Sequence, residues 1–135
     1  MKQTILNSVC GAFGVVITFM FGEWSQLLTL FLITISIDYI SGIVASLKSG
    51  RGLNSLIGYW GLAKKGLMLL IITLAHHMDV VFATTWVMNG AISFYMANEL
   101  ISITENYGRI GLPLPDAVKR VIATLKQDST DKSDK

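Results

Sequence analysis

The sequence predicts an all-α integral membrane bundle of four transmembrane helices, with three as the alternative, followed by a short cytoplasmic amphipathic helix. Three observations lead there. Of 135 residues, 52% are hydrophobic and only 15% charged, where soluble proteins carry about 25% charged residues. The apolar residues fall into long uninterrupted blocks, and the cations gather between and after those blocks instead of along every surface.

The first block runs from Ile5 to Gly22 and follows Met1-Lys2. It has the outline of a secretory signal, but Phe19-Met20-Phe21-Gly22-Glu23-Trp24 offers no pair of small residues at cleavage spacing. A retained helix is expected. The second block, Trp24 to Leu47, is separated from it only by Gly22-Glu23. A single helix through both would be about 60 Å long, twice a bilayer core, so a tight helical hairpin is expected. The third block is Gly66 to Ala83, and the fourth runs from about Thr85 to Ile103 with Asn89, Asn98 and Glu99 inside it. Each block is near the roughly 20 residues that cross a membrane as a helix. Trp24, Trp60 and Trp86 stand at block edges, where an indole can keep one end wet.

Four crossings place all eleven Lys and Arg residues on one side. Lys2 precedes the first helix, Lys48, Arg51, Lys64 and Lys65 occupy a central loop, and the others follow the fourth helix. Glu23 and Asp79 fall on the opposite side, so the positive-inside bias puts both termini in the cytoplasm. Residues 48–65 read as a flexible loop followed by a short segment lying in the headgroup layer. A transmembrane domain thus covers 1–110 and a cytoplasmic tail 111–135. In the tail, Val118, Val121, Ile122 and Leu125 share one helical face over 116–126, and Asp116 is placed to cap it. Residues 127–135 are polar and expected to be disordered.

An ionisable group at the centre of a membrane helix costs about 2.5–3.5 kcal/mol on insertion scales, so Asp38 and Glu99 need compensation. Thr34, Asp38, Ser41, Gly42 and Ala45 form one small, polar face of the second helix. Asn98, Glu99, Ser102, Glu105 and Asn106 form another on the fourth, and His77 with Thr73 marks the third. These faces either bury against one another within one chain or meet neighbouring copies and water; four short helices have little interior, which favours assembly. Thr34, Asp38, Ser41, Gly42, Ala45, His77, Asn98, Glu99, Ser102 and Glu105 are therefore the expected oligomerisation or pore-lining residues.

Other chemistry lacks an anchor. Lone Cys10 is expected to be a small apolar residue of its helix. His76 and His77 are adjacent and point about 100 degrees apart on a helix, which makes a poor ligand pair, so no metal is expected. Nor is any cofactor expected: there is no phosphate-cradling loop, nucleophile elbow or nucleophile–base pair, and the chain is expected not to be an enzyme. A net charge of +2 gives no basic stripe for nucleic acid.

Three stretches carry a family resemblance: Asp38-Tyr39-Ile40-Ser41-Gly42; Gly61-Leu62-Ala63-Lys64-Lys65 leading to His76-His77-Met78-Asp79; and Phe94 through Asn106 followed by Gly111-Leu112-Pro113-Leu114-Pro115. In order and spacing they resemble the bacteriophage holins of the family that also contains the toxin-secretion holins, over residues 30–126. The resemblance implies a protein of the bacterial inner membrane that self-associates and forms timed lesions. Through these, an endolysin or toxin would leave the cell without necessarily touching the chain. It singles out Asp38 and the Asn98-Glu99 pair. A small ion- or proton-linked channel or transporter is the second functional class, on the strength of the intramembrane carboxylates and histidines. Shared polar faces predict that Asp38→Ala and Glu99→Ala each alter lysis timing and oligomer size, read by culture turbidity and crosslinking; unchanged values refute that mechanism.

Overall fold

The computed structural model describes residues 1–52 and 54–131, and among them forms helices and no strand. The helices are α1 (Lys2–Phe21), α2 (Gln26–Lys48), α3 (Ser55–Phe82), α4 (Val87–Ile110) and α5 (Asp116–Asp131). By length and composition, α1, α2 and α3 can each cross a membrane. The fourth helix, α4, has 24 residues but carries Asn89, Asn98, Glu99, Glu105, Asn106 and Arg109 among its apolar ones.

The break expected at Gly22-Glu23 is present, at a turn that only glycine fits, but α1 and α2 do not pack on each other as the expected hairpin. Gly22 has φ 69°, and a Cβ there would lie 2.4 Å from His76 Cε1. Ser25 then caps α2 by accepting a hydrogen bond from the Leu28 amide at 3.1 Å, and the Trp24 indole donates to Thr29 Oγ1 at 2.7 Å.

The third helix corrects the sequence reading. It begins at Ser55, capped by Asn54 accepting from the Leu56 amide, and continues without a break through the stretch assigned to a loop and headgroup segment. Lys65, expected to stand in that loop, is an interior residue of α3 and is buried. Gly58 and Gly61 weaken helix propensity there, but the lysine's partners, described below, reward the continuation. At about 1.5 Å per residue α3, with 28 residues, is about 42 Å long, more than a hydrocarbon core requires.

Asp79 joins α3 to α4. Buried near the end of α3, its carboxylate accepts hydrogen bonds from the Thr84 hydroxyl at 2.6 Å and from the Val87 and Met88 amides at 3.0 and 2.9 Å. A side chain of the preceding helix thus caps the next, while Trp86 at the N-cap position contributes no side-chain bond. At the other end Gly111, with φ 84°, closes α4, and Lys48 from the end of α2 donates to the Ile110 carbonyl.

The topology follows. α2 and α4 run parallel and pack most extensively; α3 runs antiparallel and packs mainly on α4, touching α2 sparingly. α1 packs on α3 alone, near its own C-terminal end, where Phe19 stacks on His77 with ring centroids 4.8 Å apart. The half of the bundle next to the α1–α2 and α3–α4 connections, termed outer by position in the fold alone, is filled by Phe21, Leu28, Phe31, Ile72, Ile92 and Met96. Around it the surface is apolar, with Ile5, Phe13, Ile33, Ile40, Leu70 and Val81 exposed, which is the pattern of a lipid-facing protein and not of a soluble one.

α5 packs back on α4 with Ile122 buried. It extends to Asp131, past the segment expected to be disordered from residue 127, because residues such as Gln127 favour a helix even without a buried face. The expectation of disorder over 132–135 lies outside the described residues.

Removing the shared cap tests this arrangement. Asp79→Ala is expected to destabilise the detergent-solubilised protein by about 1–3 kcal/mol, since two α4 amides lose their acceptor, measured by thermal or denaturant unfolding.

Candidate functional site

The inner half of the bundle has a polar core. Asp38 stands 12 residues after the start of α2, Glu99 12 residues after the start of α4, and Lys65 10 residues after the start of α3. Because α3 runs the other way, all three come level, about 15 Å above the inner helix ends. The Lys65 ammonium donates to Asp38 Oδ2 at 2.7 Å and to Glu99 Oε2, so two carboxylates share one cation. All three side chains are nearly enclosed.

Asn106, about two helical turns beyond Glu99 on α4, extends the network. Its amide nitrogen lies within 3.1–3.2 Å of Asp38 Oδ1, the Asp38 carbonyl and Ser41 Oγ. Two hydrogens serve three acceptors, so the bonds are shared. Arg109 donates to Asn106 Oδ1 at 2.7 Å and thereby orients the amide with its nitrogen toward α2. Gly42 lies against this amide, where a Cβ would stand in ordinary contact with Asn106 Nδ2 at 3.5 Å.

These contacts place each residue expected from the sequence. Thr34, Asp38, Ser41 and Ala45 are buried along the α2 face that meets α4, with Gly42 beside them. Glu99 is buried opposite, and Ser102 lies half-buried on a cavity near it. Asn98 and Glu105 share the sequence stripe but point outward, because positions adjacent to Glu99 and Asn106 turn off the buried face. His77 is far from the cluster, half-buried against Phe19. Its Nε2 is enclosed and has no hydrogen-bond partner among the described residues.

Compensation for the intramembrane carboxylates thus exists within one copy. Lys65 and Asn106 supply it, and neither was selected from the sequence. Lys65 read as one more positive-inside cation. Its signal was a charge balance: two acids inside apolar blocks needed a cation, and Lys65 directly borders the third. Asn106 was visible in the α4 stripe, without a reason to prefer it over Glu105.

Beside the cluster, a cavity of about 510 Å³ opens between the inner halves of α2, α3 and α4. Asp38, Glu99 and Lys65 form its deep wall, and Arg51, Lys64 and Arg109 also line it.

Leaving the two acids without their cation is expected to be severe. Lys65→Met should destabilise the fold by about 3–5 kcal/mol, and adding Asp38→Asn and Glu99→Gln should restore most of the loss, as measured by unfolding in detergent.

Comparison with known proteins agrees with this picture. The family model of the bacteriophage holin family matches residues 15–127. An uncharacterised protein of Listeria innocua is 39% identical, with 98% of this chain and 95% of that protein aligned. An uncharacterised protein of Halalkalibacterium halodurans is 34% identical over 95% of this chain and 98% of its own length. A probable holin of Bacillus phage phi105 is 31% identical over 87% of this chain and 86% of that protein. No solved structure matches. With a family match across most of its length, the chain belongs to the bacteriophage holin family.

Proposed function

We propose that the chain acts as a holin, without catalysis: copies gather in the bacterial cytoplasmic membrane and open lesions through which an endolysin, or a toxin, leaves the cell. The observation that carries this reading is the closure of the single copy. Its outer half is plugged by Leu28, Phe31, Ile72 and Ile92, each fully buried, while the polar interior of the inner half is tied up by Lys65 and Asn106. A passage wide enough for a protein therefore requires several copies. In that assembly Thr34, Asp38, Ser41, Gly42, Ala45, Glu99 and Ser102 become lesion-lining by exchanging partners within the bundle for water or neighbours. Asn98 and Glu105, already exposed, offer polar contacts between copies.

Four crossings accompany this reading. α4 packs on α2, is capped by Asp79 at one end and tied to Lys48 at the other, which supports a fourth crossing beside α2. Its polar residues Glu99 and Asn106 face protein and do not oppose insertion. Lys2, Lys48, Arg51 and Arg109 then share the cytoplasmic end with α5, and Glu23 lies outside. A proton-linked channel is the second reading, favoured by the buried charged cluster.

Two measurements test these statements. Inducing the chain in a bacterium with a cytoplasmic endolysin should give an abrupt, timed loss of membrane potential followed by lysis; slow ion leakage without lysis supports the channel instead. In a Cys10→Ser background, an impermeant thiol reagent added to intact cells should label Glu23→Cys but not Lys119→Cys. Labelling of Lys119→Cys from outside overturns the four-crossing arrangement.

A further inference from the structure

We propose that the inner cavity is a binding site for the phosphate headgroup of an anionic bilayer lipid of the phosphatidylglycerol class. The inference rests on the membrane-spanning reading of the bundle and goes beyond lesion formation. Its volume, about 510 Å³, is within the roughly 300–1,000 Å³ range of small-molecule sites.

Charge selects the ligand. Four cations line the cavity, Arg51, Lys64, Lys65 and Arg109, against the two acids Asp38 and Glu99. Lys65 is committed to those acids, and Arg109 donates to the neutral Asn106. Arg51 and Lys64 join no ion pair among the described residues, so the mouth of the cavity carries uncompensated positive charge. A phosphate diester supplies the matching acceptor oxygens, and basic pockets between helices on the cytoplasmic side are where such headgroups bind.

Shape selects a lipid over a soluble phosphate. α2 and α3 touch sparingly, which leaves the cavity open sideways toward the hydrocarbon. Gly58 and Gly61 lower the α3 wall there: a Cβ at Gly61 meets nothing within 4 Å, and one at Gly58 meets only the Tyr39 hydroxyl at 3.8 Å. Ile57 and Met68 line the same cavity and offer apolar surface to an acyl chain.

The test uses the full chain in nanodiscs of mixed phosphatidylglycerol and phosphatidylcholine, extracted gently and weighed by native mass spectrometry. Retention of phosphatidylglycerol in preference to phosphatidylcholine is expected. Arg51→Gln with Lys64→Gln should reduce that retention about 30-fold, at about 1 kcal/mol for each cation near the surface. Gly61→Leu, which fills the cavity, should reduce it similarly, whereas Lys119→Gln with Arg120→Gln, on α5, should leave it unchanged. Equal retention of the two lipids, no effect of the Arg51/Lys64 substitutions, or an equal loss in the α5 variant overturns the proposal. Binding of glycerol phosphate as tight as that of the lipid also overturns it, in favour of a soluble ligand. Should Gly61→Leu fail to fold, the two exposed-cation substitutions still decide.

Discussion

The bundle depends on one ammonium held between two carboxylates inside a membrane protein. Lys65, Asp38 and Glu99 come from three different helices, so their pairing fixes α2, α3 and α4 at a common depth as well as neutralising charge. Apolar packing alone does not do this in lipid, where a leucine surface gains little by leaving hydrocarbon for another leucine surface. The ion cluster supplies register, and the outer plug of Phe31, Leu28, Ile72 and Ile92 supplies close contact once register is set. Asn106 and Ser41 complete the hydrogen bonding that a buried carboxylate demands.

Helix ends repeat the same economy. Asp79 satisfies the free amides of α4 from within α3, and Lys48 reaches the last carbonyl of α4 from α2. Backbone groups that have no water to turn to are met by side chains of adjacent helices. Both ends of α4 are thereby satisfied within one copy, while the cavity between α2, α3 and α4 stays open and is bordered by Arg51 and Lys64. In the lesion proposed above, assembly has to compete with a well-paired single copy.

Much of this was legible in the residues. Long apolar blocks and scarce charge give helices in a membrane; Gly22 marks the first break because its backbone angle and the neighbouring His76 exclude any side chain. The small face of α2 was readable from spacing, because positions three and four apart share a side of a helix. Its partner was not. Pairing of Lys65 with Asp38 and Glu99 joins residues separated by 27 and 34 positions, and periodicity carries no information at that range. Counting cations as topology signals hid the one cation that is structural. The start of α3 at Ser55 was missed for the same reason, since two adjacent lysines read as the edge of a span. Asn98 and Glu105 stand in the same stripe but are exposed in one copy, because one position turns a side chain by about 100 degrees.

The attachment of α1 has a consequence for how this region tolerates change. The helix is fastened to the bundle only at its outer end, through Phe19, Phe21 and Gly22 against α3 and the outer core. Over its inner two-thirds nothing lies within 4 Å of where Gly11 or Gly14 would carry a side chain, and Val9 and Phe13 are exposed. Within a single copy, the volume of a residue there is free while its polarity is not. The solvent, rather than the fold, dictates the alphabet of this stretch, so greasy residues of any bulk interchange in it while the outer turn stays particular.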